Sequence, residues 1–174
     1  DAAVLAEVTL TSELDIVLFN LPAGNWVAGE RGIACHPGRS EEFRAGVARA
    51  IDYARTLGVP RLNCLAGIPP ADADPTLVRQ TLLNNLAYAA AETARAGIRL
   101  LIEPLNTRDV PGFLIATTRD ALSVMDAVGH ANLGLQYDVY HAQVMEGDLA
   151  QTLRTHIARI GHIQIADNPG RHEP

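Results

Sequence analysis

Apolar positions recur along this chain with two different periods. In SEEFRAGVARAIDYARTLG, Phe43, Val47, Ile51 and Ala54 fall three or four residues apart and trace one face of a helix. Ser40 stands before that face as N-cap, Glu41 and Glu42 occupy the first turn, and Gly58 followed by Pro60 stops it. The next stripe runs through Val78, Leu82, Leu86 and Ala89, with Asp74 as cap, Pro75 in the first helical position and Gly97 as the stop. Two more helices are predicted, from about Thr118 to Val128 and from about Asp148 to Ile160, and residues 2 to 8 read as the tail of another.

Between the helices lie short runs that are apolar almost throughout: residues 15 to 21, 61 to 68, 98 to 105, 132 to 140 and 162 to 167. Such runs, alternating with helices, predict five parallel strands covered by helices. A dinucleotide-binding sheet would place a glycine-rich turn between a strand and a helix. AGNWVAGERG has glycines at the wrong spacing and opens no helix. A (β/α)8 barrel fits better, and such a barrel takes roughly 250 residues. The 174 residues are therefore expected to form a single α/β domain over residues 1 to 174, a partial TIM barrel truncated at both ends.

Composition narrows the chemistry. A 48% hydrophobic and 20% charged chain is ordinary for a globular domain. No apolar run approaches the roughly 20 residues that span a bilayer, and DAAVLAEVTL lacks the basic start of a signal peptide, so a cytoplasmic location and no membrane partner are expected. The net charge of -6 and the scattered basic residues argue against nucleic acid. All 14 basic residues are arginine, which excludes lysine Schiff-base chemistry and the lysine of a phosphate-binding loop. Cys35 and Cys64 match no metal or disulfide spacing and read as free thiols.

Three strands end on polar residues: Glu103 in RLLIEPLN, Asp138 in LGLQYDVY and Gln164 in HIQIAD. In a barrel the C-terminal strand ends converge on one mouth. Two carboxylates gathered there repel unless a cation lies between them, and an all-oxygen set with one amide suits Mg²⁺ or Mn²⁺ more than Zn²⁺. Each residue alone also has a plainer reading, an acid capping a helix or pairing with Arg, an amide satisfying the core backbone. His141, three residues past Asp138, and Arg171, after the Pro169-Gly170 turn, can reach the same mouth. Arg is the side chain best shaped to grip a carboxylate. The long segment between Leu21 and Glu41 suggests a lid, in which Trp26 covers a site, Glu30 and Arg31 pair, and glycines give hinges. His36 and His130 read as surface residues, and Asn20 and Asn63 as pointing toward the mouth.

LFNLPAGNWVAGERGIACHPGR, LNCLAG, IEPLNTRDVPGFLI, LQYDVYHAQVMEGDL and HIQIADNPGRHEP together resemble the hydroxypyruvate isomerase family, within the xylose-isomerase-like barrels. The resemblance covers almost the whole chain and implies that strands three to seven of the barrel are present. It implies a metal held by Glu103, Asp138, Gln164 and a second Glu on the eighth strand, which has no counterpart here. It further implies that Glu103 is one of two acid/base carboxylates and that His141 and Arg171 hold substrate. The reaction it implies interconverts hydroxypyruvate and tartronate semialdehyde by proton transfer through an enediolate, with this chain alone inactive. A 2-oxo-tetronate isomerase, a sugar epimerase or a non-catalytic sugar-acid-binding barrel remain alternatives. A homo-oligomer is left open.

Overall fold

The computed structural model describes residues 2–12 and 14–174. Five parallel strands form one sheet in sequential order: β1 (Phe19–Asn20), β2 (Arg61–Cys64), β3 (Arg99–Ile102), β4 (Leu133–Asp138) and β5 (Ile160–Gln164). Sequential parallel order with helical crossovers is the geometry of a barrel wall, and five strands make somewhat more than half of one. The helices are α1 (Ala2–Ser12), α2 (Ser40–Leu57), α3 (Pro75–Arg95), α4 (Thr118–Val128), α5 (Val139–Met145) and α6 (Leu149–His156). Among the described residues no helix is long and apolar enough to cross a membrane.

Every predicted strand is present, and each is shorter than its apolar run. The run at 15 to 21 pairs only at Phe19 and Asn20, because β1 has a single neighbour, β2, to hold it. The helix expected from Asp148 to Ile160 ends at His156 and tightens into a 3-10 turn over Ile157–Arg159. Helix α2 starts at Ser40 itself, with Arg39 in the cap position and no side-chain cap bond. Asp74 caps α3 as expected, accepting from the Thr76 and Leu77 N–H groups. The short helix α5, absent from the pattern reading, is nucleated by Asp138, whose Oδ1 accepts from the Tyr140 and His141 N–H groups.

The side chains alternate between two environments. Leu62, Cys64, Leu100, Ile102, Leu133 and Leu135 join the apolar core with the buried stripe of α2 (Val47, Ile51, Ala54) and of α3 (Val78, Leu82, Leu86). The opposite face looks into the barrel and carries Arg61, Asn63, Arg99, Leu101, Gln136, Asp138 and Gln164. One irregularity shapes that face. Gly161 is an extra residue on β5, since Leu135 pairs with Ile160 and Gln136 with His162. A Cβ at Gly161 would lie 2.5 Å from Leu101 Cδ2, so any larger residue in the bulge would have to displace the tip of the Leu101 side chain. Its carbonyl accepts from Arg61 Nε at 3.1 Å, tying β2 to β5 across the barrel floor.

Leu100, fully buried on the central strand, is expected to cost about 2–5 kcal/mol when changed to Ala, because the packed interior cannot collapse onto the void. Leu77→Ala, at an exposed position of α3, should stay within about 0.5 kcal/mol of wild type. Urea denaturation of the two variants measures the difference, and equal effects would contradict this placement of the core.

Candidate active site

The three polar strand ends meet at one mouth. Asp138 and Gln164 are partners in the β4–β5 register, and Glu103 directly follows β3. Glu103, Asp138 and His141 each offer a ligand atom within 4.8 Å of the others, and all three residues are buried. Glu103, Gln164, His141 and Arg171 line a cavity of ≈ 650 Å³, within the range of small-molecule sites. Asp138 does not line that cavity itself but lies behind it, against His141 and Arg171.

A belt of amides fixes Glu103. Asn63 Nδ2 donates to Glu103 Oε2 at 2.7 Å and to Asn20 Oδ1 at 2.9 Å. Gln136 also hydrogen-bonds Glu103, and its Nε2 donates to Gln164 Oε1 at 3.0 Å. One polar side chain from each strand region, Asn20, Asn63, Glu103, Gln136 and Gln164, therefore joins a continuous row. Asn20 and Asn63 point where the sequence reading put them. Gln136 escaped that reading, although its position two residues before Asp138 places it on the same inward face.

Burial pushes the Glu103 carboxyl up to about 7, with Asp138 adding to the effect and the Gln136 and Asn63 amides opposing it. A buried carboxyl near 7 is poised to give or take a proton at neutral pH. The same environment favours a cation. Two carboxylates with little water between them become jointly ionised once a positive ion is added, and the buried Gln136 Oε1 and Asn63 Oδ1 have no hydrogen-bond partner among the described residues. Glu103, Asp138 and His141 stand close enough to hold one ion, and the two carboxylates among them suit a hard divalent cation.

His141 is buried on the first turn of α5, facing inward rather than outward as a lone surface histidine would. Its Nδ1 accepts from the Asn106 backbone N–H at 3.2 Å and lies 2.7 Å from Asn106 Nδ2. Asn106 thus presents donors to Nδ1 while the Arg171 guanidinium presents one to Nε2, so both ring nitrogens face donors. Burial lowers the His141 pKa, Asp138 opposes that, and Arg171 adds to it. Nε2 stands 3.8 Å from Asp138 Oδ2 and 3.2 Å from Arg171 Nη2. Arg171 in turn lies 3.9 Å from Asp138 Oδ2 with its guanidinium 5.0 Å from the Tyr140 ring. Asn106 carried no signal in the sequence beyond standing three residues after Glu103. It also holds Asp109, whose carboxylate accepts from Asn106 Nδ2 and from the Tyr140 hydroxyl.

The segment from 22 to 39 arches over this mouth, and Trp26 and Arg31 line the cavity. Its neck closes with Gly32 N–H donating to Ala23 O at 2.9 Å. Gly32 sits at φ +111°, and a Cβ there would lie 2.2 Å from Leu65 O, so no other residue fits. The expected Glu30–Arg31 pair is not formed. Glu30 instead binds Arg39 and the Asn25 N–H, which hold its carboxyl below the usual range. Arg31 stacks on Trp26, 3.8 Å from the ring centroid.

Stability should follow the Glu103 proton. Its folded value near 7 lies above the ordinary 4.5, so the folded chain holds a proton that the unfolded chain releases between those values. For the metal-free chain this stabilisation is complete below pH 4.5 and is lost as pH rises through 7, on the order of 3 kcal/mol. Denaturation at pH 5 and pH 8 reads the slope, and Glu103→Gln should flatten it. A wild-type chain equally stable at both values would refute the burial argument.

The family model described as xylose isomerase-like TIM barrel matches residues 2–174. The hydroxypyruvate isomerase of Escherichia coli is 53% identical over 174 residues, covering 100% of this chain and 67% of the relative. The 2-oxo-tetronate isomerase of Cupriavidus necator is 50% identical over 157 residues, covering 90% of this chain and 60% of the relative. The chain thus spans about two thirds or less of the length of these relatives. A crystal structure from Brucella melitensis, named AP endonuclease, family 2, superposes with TM-score 0.96 at 41% identity, over 100% of this chain and 67% of that one. A D-allulose 3-epimerase from Methylomonas sp. superposes with TM-score 0.76 at 20% identity, over 99% of this chain and 60% of that one, which bears on the fold alone.

Proposed function

Since the chain belongs to the hydroxypyruvate isomerase family of xylose isomerase-like TIM barrels, we propose that it carries the active site of an isomerase of small hydroxy-oxo acids, with hydroxypyruvate and tartronate semialdehyde as its pair. The observation that supports this reading most is the gathering of Glu103, Asp138 and His141, all buried, beside a cavity that Glu103 and His141 line. Aldose-ketose interconversion removes a proton next to a carbonyl and returns one to the neighbouring carbon. A carboxylate held beside the reacting carbons accepts the proton and gives one back.

Glu103 is one of the acid/base carboxylates, oriented by Asn63 and Gln136. Glu103, Asp138 and Gln164 would hold Mg²⁺ or Mn²⁺, which supplies Lewis-acid stabilisation of the negative charge that develops when the proton leaves. His141, on the cavity wall, hydrogen-bonds a substrate oxygen through its ring. Arg171, already steered by Asp138 and the Tyr140 ring, grips the substrate carboxylate. Trp26 and the arch around it shield the bound acid from water.

The name of the Brucella melitensis relative raises a DNA-directed reading. Cleaving DNA calls for a basic groove along the phosphate backbone. A chain of net charge -6, with two arginines at its cavity, supports a small acid better. The Cupriavidus necator relative favours four-carbon 2-oxo acids as the next substrates to try.

With Mg²⁺ or Mn²⁺, the full-length protein should isomerise hydroxypyruvate, and a chelator should remove the activity. Glu103→Gln should lower kcat by roughly 10²–10⁴-fold while circular dichroism stays unchanged. Turnover untouched by that substitution would replace the isomerase with a sugar-acid-binding barrel. A panel of hydroxypyruvate, 2-oxo-tetronates and free ketoses ranks the substrates.

A further inference from the structure

Two arginines line the cavity, and their situations differ. Arg171 lies 3.9 Å from Asp138, and it is the cation that acts on Glu103. Arg31 has no carboxylate against it among the described residues. Its neighbour Glu30 is turned away and occupied by Arg39 and by the Asn25 N–H. A cation at the mouth of a partly buried cavity, with its adjacent acid diverted to another arginine, is a charge awaiting an anion.

Its orientation is fixed in advance. Arg31 Nη1 donates to Glu30 O at 2.8 Å and to Trp26 O at 3.2 Å, and the guanidinium plane lies over the Trp26 ring. Only Nη1 is used. Nε and Nη2 make no hydrogen bond to any described residue, which leaves one edge of the fork open. Holding the side chain this way lowers the ordering entropy that ligand binding would otherwise cost.

We propose that Arg31 is a second substrate-binding residue, sharing with Arg171 the carboxylate of a hydroxy acid or 2-oxo acid, and so adding to the preference for acids over neutral ketoses of the same size. The identity of the reacting acid rests on the isomerase reading above. Carboxylate recognition itself does not, and can be measured without turnover.

Trp26 is the sole tryptophan of the chain and lies against Arg31, so its fluorescence reports on that guanidinium. Titrating the chain with glycerate, an unreactive hydroxy acid, should give a saturable change, and glycerol should give none. Arg31→Gln should weaken glycerate binding about 10-fold or more by calorimetry, and Arg31→Lys, which keeps the charge and loses the fork, should fall between. Arg79→Gln, which removes a charge from the exposed side of α3, should bind as wild type does. In the full-length protein, Arg31→Gln should raise KM for hydroxypyruvate by a larger factor than it lowers kcat. No response to glycerate, an equal response to glycerol, or wild-type glycerate affinity in Arg31→Gln each overturns the proposal. Glycerate binding lost in Arg31→Gln, in a protein that turns over no hydroxypyruvate, upholds Arg31 and removes the isomerase reading instead.

Discussion

The carboxyl of Glu103 is held almost out of water at the end of a central strand, and much of the site follows from the cost of keeping it there. A charge so placed must be neutralised, solvated by fixed donors, or matched by a cation. The chain uses donors from both sides, Asn63 on β2 and Gln136 on β4, and their amides then bind onward to Asn20 and Gln164. One buried acid thereby organises a row across the whole sheet. Asp138 adds a second acid, and its proximity raises the first. In the proposed reaction, proton transfer and cation binding would both draw on this unfavourable crowding of negative charge.

Asp138 does two jobs with its two oxygens. Oδ1 caps α5, and Oδ2 faces His141 and Arg171. The helix start holds the carboxylate rigid, and the carboxylate in turn fixes where His141 emerges from the helix. Asn106 grips the far nitrogen of that ring, so its orientation is constrained at both ends. A similar division of labour runs through the arch of residues 22 to 39, where Glu30 serves the loop's own architecture and Arg31 is left to the cavity.

Most of the framework was legible in the linear pattern, because parallel strands buried on both faces leave apolar runs and helices leave stripes and caps. Strand ends were overextended, since apolar residues continue past the last ladder bond, as at Leu105 beyond Ile102. Glu103, Asp138 and Gln164 stood out as polar residues closing apolar runs, and barrel geometry alone brought them together. Gln136 did not stand out, hidden between apolar neighbours, although its inward direction follows from alternation. The partner of Glu30 was misread as Arg31, because adjacency in sequence says little about a loop whose glycines reverse the chain. The short helix α5 was missed because seven residues carry too few periods to register, and Asp138 announced itself as an acid before it could be read as a cap.

Beneath the mouth, Arg61 reaches from β2 to the freed carbonyl of the bulged Gly161 on β5. This strut crosses the inner face of the curved wall near the starts of its strands, at the end away from Glu103 and Asp138. Curvature is thus braced from below by a contact that takes no part in the chemistry. The base of the sheet thus has its own tie between β2 and β5, separate from the amide row that joins the strands at the mouth.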